Sequence, residues 1–165
     1  MIIRKAKVED AKSMVEINVN TWKVAYKGLL PDEILDNRNV TEKRIEHSQE
    51  AIKTKDKIHF VAEENGEVVG FLTGGDSRDE TIPVDFEVYA LYVSPLMQRK
   101  GIGQALLDAF MKEINYAPFY LYALKSNQNA RHFYIKNGGM ELPEFEKELP
   151  EKYNNALESL FMFNL

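Results

Sequence analysis

Cysteine is absent from this chain of 165 residues. Disulfide bonds, thiolate metal ligands and cysteine nucleophiles are therefore excluded, and with them any acyl transfer through an acyl-cysteine intermediate. Long apolar runs are also missing, since no segment approaches the roughly 20 residues that a membrane-spanning helix needs. Residues 1–14 lack the apolar core of a signal peptide. We therefore expect a cytoplasmic protein without a membrane partner.

The chain has no basic excess either, because its formal net charge is -5. A nucleic-acid partner is not expected, although net charge says little about any single cleft. The three histidines, His47, His59 and His132, show no metal-ligand spacing. The acidic stretch GGDSRDE has no EF-hand spacing. The sequence therefore predicts no metal site.

Hydrophobic periodicity and turn residues predict one α/β domain over residues 1–165. Helices are predicted from Val8 to about Trp22, as a short helix that begins at Pro31, from Thr41 to about Lys53, after the glycines at 101 and 103 to about Asn115, and from about Asn127 to Lys136. Strands are predicted at 2–6, on both sides of Asn65-Gly66, at 85–93, at 118–124, irregularly within 140–157, and at 158–165.

The stretch LYVSPLMQRKGIGQALLDAF places Gly101 and Gly103 where a helix begins, although glycine is a poor helix former. A helix N-terminus has unpaired N–H groups and attracts anions, and glycine lets a phosphate approach the backbone. An ordinary strand-to-helix connection is the alternative. The P-loop motif fails because Gln104-Ala105 follow Gly103, and the dinucleotide motif fails because Leu106 replaces its third glycine.

Three motifs resemble the GNAT superfamily of acyl-CoA-dependent N-acyltransferases. Residues 98–103 match [QR]-x-x-G-x-[GA], and residues 127–138 match N-x-x-A-x-x-[FL]-Y-x-x-x-G. The segment TWKVAYKGLLPDE resembles the first helix and acceptor-side loop of many bacterial members. The resemblance spans nearly the whole chain. It departs at Gly139, where many members have phenylalanine.

The resemblance implies an α/β fold with a mixed, mostly antiparallel sheet of six to seven strands flanked by helices. The strand at 85–93 would carry a bulge and splay from the strand at 118–124. Acetyl-CoA would be the acyl donor, and acyl groups other than acetyl stay open. The implied cofactor-binding residues are Leu91, Tyr92 and Val93 on the pantetheine arm, the backbone of Gln98, Arg99, Lys100, Gly101, Ile102, Gly103 and Gln104 on the pyrophosphate, and Asn127 and Ala130 of the second motif. Asn127 matches a family position that contacts the pantetheine side or caps the following helix.

The resemblance also implies catalytic residues. Tyr134 matches a tyrosine whose hydroxyl lies near the thioester sulfur, which suits a general acid. Glu87 stands where several members carry a catalytic glutamate, with base action through water as the competitor. Strand alternation predicts Glu87, Tyr89 and Leu91 on one face. Trp22 and Tyr26 either line the acceptor pocket or pack on the sheet.

The expected function is transfer of an acetyl group from acetyl-CoA to a primary amine of a small molecule or peptide, by direct attack in a ternary complex. A non-catalytic acyl-CoA-sensing module is the alternative, and a nucleotide-phosphate binder is a third. Relatives commonly dimerise, so a homodimer stays open.

Overall fold

The computed structural model describes residues 1–165, and its seven strands form one sheet in the order β1-β2-β3-β4-β5-β7-β6. All neighbouring strands are antiparallel except β4 and β5, which are parallel. This mixed sheet with flanking helices confirms the predicted fold class. The strands are β1 Ile2–Lys5, β2 Lys57–Glu64, β3 Glu67–Asp76, β4 Phe86–Val93, β5 Phe119–Leu124, β6 Met140–Glu148 and β7 Leu157–Phe163.

The helices cover both faces of the sheet. They are α1 Ala11–Ala25, α2 Asp32–Asp36, α3 Glu42–Lys53, α4 Ile102–Glu113 and α5 Gln128–Lys136. The largest core cluster joins α4 to one sheet face through residues such as Leu106 and Phe110, which are fully buried. Met14 and Ile17 of α1 pack on the other face against Val61 and Phe71. We call these two surfaces the α4 face and the α1 face.

The hairpin between β2 and β3 forms as predicted. Asn65 and Gly66 have φ angles of 53° and 83°. Two consecutive positive φ angles are what a two-residue hairpin turn of this hand requires, which is why Asn-Gly is a strong signal.

Helix boundaries differ from the prediction at both ends of α1, which continues to Ala25, and at the end of α4. A 3-10 turn at Val8–Asp10 precedes α1, and the Asp10 carboxylate accepts the Lys7 N–H at 2.7 Å. The first α-helical residue is therefore Ala11. Helix α4 ends at Glu113 because Asn115 and Tyr116 take positive φ angles, which are incompatible with a continuing right-handed helix.

The centre of the sheet is open at one end. Strands β4 and β5 pair only at Phe86 to Val88 against Phe119 to Leu121. Beyond Val88 neither strand pairs with the other, so the two diverge and leave a slot between them. The predicted splay of the central strands is therefore present.

Candidate active site

A run of unbonded backbone N–H groups precedes and opens helix α4. No N–H group from Gln98 to Gln104 donates a hydrogen bond within the chain, and the first to do so is that of Ala105, to the Gly101 carbonyl oxygen at 3.0 Å. Arg99 and Gly101 have φ angles of 63° and 79°, so left-handed residues alternate with right-handed or extended ones. Successive N–H groups in such a turn form a concave anion-binding surface at the positive end of the helix.

Glycine is needed at positions 101 and 103 of this turn for two different physical reasons. Gly101 is the left-handed residue that precedes the helix, and a Cβ built there would meet nothing within 4 Å. Gly103 lies inside the first helical turn, and its Cβ would lie 3.1 Å from the Phe133 ring of α5. Gly101 therefore serves the backbone turn, whereas Gly103 serves the contact between α4 and α5.

The splayed end of β4 borders the slot. Its residues Leu91 and Val93 pack on the α4 face, and Tyr92 packs on the α1 face. The Gln98 side chain donates from Nε2 to the Val93 carbonyl oxygen at 3.1 Å, which ties the glycine turn to the end of this strand. The predicted pyrophosphate and pantetheine residues therefore adjoin one another.

A β-bulge changes which residues of β4 share a face. Ala90 pairs with Thr73 and Val88 with Gly74, so Tyr89 is the extra residue. The prediction that Glu87, Tyr89 and Leu91 share one face is wrong, because the extra residue reverses the alternation beyond Val88. Leu91 lies on the α4 face instead.

Tyr134 of α5 lies against the aromatic core of β7. Its ring centroid is 5.5 Å from that of Phe161 and 6.4 Å from that of Phe163. Burial, and to a smaller extent the neighbouring Tyr92, raise the pKa of Tyr134 well above its ordinary value. Its hydroxyl takes part in no side-chain hydrogen bond of the chain. A protonated phenol without a protein partner can donate to a ligand.

The second motif orders the start of α5. The Asn127 side chain is the N-cap and accepts the Ala130 N–H at 3.2 Å. At the other end, Gly138 takes a left-handed φ of 92°. A Cβ on Gly139 would lie 2.7 Å from the Phe163 ring, so Phe163 fills the space beside the position where many GNAT sequences carry phenylalanine.

Glu87 is only 4% exposed, and its carboxylate is held by four hydrogen bonds. Arg78 donates from Nη2 at 2.6 Å, from Nε at 3.0 Å and from its backbone N–H at 3.1 Å. The Tyr120 hydroxyl donates at 3.0 Å. Glu87 also lies in the segment where β4 and β5 are still paired, opposite Tyr120. The structure does not bring Glu87 to the splayed residues or to Tyr134.

Trp22 and Tyr26 lie on the α1 side of the slot. Their rings meet edge to face with centroids 4.9 Å apart, and Trp22 donates from Nε1 to the Tyr92 hydroxyl at 3.0 Å. Both pack around Leu30 and Leu124. They therefore pack on the core and also border the splayed strand, and their role as walls of an acceptor pocket stays a prediction.

Two further observations concern ligands and membranes. No three His, Asp or Glu side chains cluster closely enough to hold a metal ion. No helix has the length and apolar character needed to cross a membrane.

Comparison with known proteins identifies the family. The model of the GNAT acetyltransferase domain matches residues 55–138, just over half of the chain. The chain belongs to the GNAT acetyltransferase family. This acetyltransferase is 28% identical to the uncharacterized N-acetyltransferase YuaI of Bacillus subtilis over 128 residues, covering 76% of this chain and 72% of YuaI.

The comparisons with curated sequences and with solved structures each give a match from Thermoplasma acidophilum. The spermidine N(1)-acetyltransferase is 26% identical over 143 residues, covering 82% of this chain and 86% of that protein. The crystal structure of the PaiA N-acetyltransferase, in complex with coenzyme A, superposes with a TM-score of 0.74 at 23% identity, covering 96% of each chain. This likeness supports the same fold.

Proposed function

We propose that this GNAT protein transfers an acetyl group from acetyl-CoA to a primary amine of a small molecule or peptide. The observation that carries the proposal is the run of unbonded N–H groups beside the splayed end of β4. The names of the matches agree with it, since they include a spermidine acetyltransferase and an N-acetyltransferase crystallised with coenzyme A.

The residues of this turn fit a pyrophosphate. The N–H groups of Gln98 to Gln104 can donate to phosphate oxygens, and no side chain caps the helix in their place. The exposed side chains of Arg99 and Lys100 add positive charge beside them. Leu91, Tyr92 and Val93 would bind the pantetheine arm along the strand edge that β5 leaves unpaired.

Asn127 and Ala130 enter the proposal indirectly. Because Asn127 accepts the Ala130 N–H, these residues hold the first turn of α5, the helix that carries Tyr134. We propose that they position Tyr134 beside the pantetheine end of the slot.

Tyr134 is the proposed general acid. Bound acetyl-CoA would supply an acetyl thioester, which the acceptor nitrogen attacks directly as the C–N bond forms and the C–S bond breaks. The raised pKa of Tyr134 keeps its hydroxyl protonated at neutral pH, so it can donate a proton to the leaving sulfur. A backbone N–H of the splayed strand near Tyr92 or Val93 would donate to the carbonyl oxygen as negative charge develops there.

A base must also remove a proton from the acceptor, because an alkylammonium has a pKa of about 10. The four hydrogen bonds that Glu87 accepts, and its position in the paired part of β4, favour a structural role for this carboxylate. We therefore propose that water carries this proton away from the slot. Trp22 and Tyr26 are the proposed walls of the acceptor pocket.

The decisive experiment compares wild type with Tyr134→Phe in acetyl-CoA turnover over a panel of amines. General-acid catalysis contributes typically about 10²- to 10⁴-fold, so kcat should fall by about 100-fold or more. The KM for acetyl-CoA should change less than about threefold, because the turn is not altered. Tyr116→Phe removes a 62% exposed tyrosine hydroxyl and is the matched control, with unchanged kinetics expected.

Two results would contradict the proposal. Tight acetyl-CoA binding by wild type without product from any amine would indicate a sensing module. Greater thermal stabilisation by ATP or NAD than by coenzyme A would indicate a nucleotide-phosphate binder.

A further inference from the structure

Arg38, which follows α2, is a half-buried guanidinium without a carboxylate partner. It stacks on the Trp22 ring with 3.7 Å between Cζ and the ring centroid. Its Nε and Nη2 atoms donate to Asn18 Oδ1 at 3.1 and 2.6 Å, and Arg38 forms no salt bridge. The half-buried Arg4 and Arg131, by contrast, each hold a carboxylate at 2.7 Å.

The guanidinium has donors left over. Five N–H groups are available on an arginine side chain, and Asn18 engages one on Nε and one on Nη2. The remaining donors, on Nη1 and Nη2, form the pair that binds the two oxygens of a carboxylate end-on. No salt bridge supplies Arg38 with a counter-charge, and burial, together with the neighbouring cation Arg44, lowers its pKa.

Arg38 is two contacts from the splayed strand. It stacks on Trp22, whose Nε1 donates to the Tyr92 hydroxyl at 3.0 Å, and Tyr92 lies in the part of β4 that β5 leaves unpaired. A group held by Arg38 would therefore lie beside the Trp22 ring, two contacts away from the splayed part of β4.

A carboxylate lies near Trp22 and Tyr26 on the α1 face. Glu158 of β7 lies directly opposite Leu124 of β5, so the two side chains share the α1 face. Leu124 packs in the cluster that contains Trp22 and Tyr26. The ion-pair partner of Glu158 is Lys147, at 3.5 Å, and not Arg38. Arg38 and Glu158 thus both lie near the Trp22–Tyr26 cluster without pairing with each other.

We propose that the acceptor is an aminocarboxylate, whose carboxylate binds Arg38 while its amino end reaches the slot on the side of Glu158. This inference rests on the proposed function and narrows it. It distinguishes the protein from an enzyme specific for polyamines, since a second ammonium group would meet the uncompensated Arg38 and be repelled.

The test uses matched acceptors that differ only in the carboxylate. Glycine, β-alanine and 4-aminobutyrate are compared with methylamine, ethylamine and propylamine, and with 1,4-diaminobutane, at saturating acetyl-CoA. The best aminocarboxylate should exceed its alkylamine counterpart in kcat/KM by at least about tenfold, the effect expected of one charge-assisted hydrogen-bonded contact. The diamine should be the poorest acceptor.

Arg38→Gln should abolish this preference by lowering kcat/KM for the aminocarboxylates at least about tenfold, with alkylamine turnover and the acetyl-CoA KM kept within about twofold. Lys23→Gln removes a neighbouring positive charge on α1 and should leave the preference unchanged. Arg38→Lys, which keeps the charge but not the two-pronged geometry, should retain part of it. This third variant also serves if Arg38→Gln does not fold.

Several outcomes overturn the inference without touching the proposed function. The first is that wild type prefers the diamine, and the second is that it turns over aminocarboxylates and alkylamines equally well. The third is that Arg38→Gln lowers kcat/KM equally for all amines, which would show that Arg38 only supports Trp22. If wild type acetylates no amine, the proposed function fails instead. Calorimetric titration of the same aminocarboxylates then decides the inference: weaker binding to Arg38→Gln than to wild type supports it, and equal or absent binding overturns it.

Discussion

Gly101→Ala separates the cost of a strained turn from the loss of an anion site. Gly101 and Gly66 are matched, since their φ angles are 79° and 83° and a Cβ on either would meet nothing within 4 Å. An alanine at either position therefore costs only the backbone strain of the left-handed conformation, about 1–2 kcal/mol. For a domain of this size that lowers Tm by about 2–8 °C in both variants.

Only Gly101 adjoins the unbonded N–H groups. A methyl group there, or a relaxed turn, would remove one charge-assisted hydrogen bond to a bound pyrophosphate, worth about 1.5–3 kcal/mol. The Kd for acetyl-CoA should therefore rise roughly 10- to 100-fold in Gly101→Ala. Gly66→Ala, in the β2–β3 hairpin, should leave it unchanged.

The measurements are thermal unfolding of both variants and calorimetric titration with acetyl-CoA. Similar Tm decreases with a selective loss of affinity in Gly101→Ala would support the pyrophosphate site. The reasoning is refuted if the two variants bind acetyl-CoA equally well, because the glycine would then serve only the strand-to-helix connection.

Two other predictions concern buried titratable residues. Glu87→Gln should lower the free energy of unfolding by about 1–3 kcal/mol, because Arg78 and Tyr120 lose a charged acceptor. The kcat of this variant should stay within about threefold of wild type. A loss of kcat of about 100-fold at unchanged Tm would instead make Glu87 the base. Burial lowers the pKa of His59 below its ordinary value of 6.5. As the pH falls below 6.5, the imidazole therefore binds a proton in the unfolded chain before it does so in the folded protein. The free energy of unfolding should consequently decrease between about pH 7 and pH 5.5. His59→Gln should remove that part of the decrease and His132→Gln, at an exposed position, should not; identical pH profiles for the two variants would contradict the assignment.

Local signals explain what could be predicted from the sequence. The Asn65-Gly66 turn and the N-cap at Asn127 each depend on residues within a few positions of one another. The amphipathic patterns of α1 and α4 likewise identified the helices, although their ends differ by a few residues. The motif around Gly101 predicted where unbonded N–H groups would be found.

Non-local pairing explains what could not be predicted. The bulge at Tyr89 depends on how β4 aligns with β3, and it moves Leu91 to the other face of the sheet. The burial of Glu87 depends on Arg78 and on Tyr120 of the neighbouring strand. The acceptor side was predicted only as Trp22 and Tyr26. No sequence signal identified Arg38, because its stacking partner Trp22 lies in α1, 16 positions earlier in the chain.

The sequence by itself determined the family, the order of helices and strands, and the turn that exposes backbone donors, because these follow from residues close together along the chain. Only the tertiary structure explains why residue 103 is a glycine, because the Phe133 ring of another helix packs against it. Likewise, only the tertiary structure stacks Arg38 on the Trp22 ring without a carboxylate partner. Contacts between distant segments depend on packing and register, which no local pattern encodes.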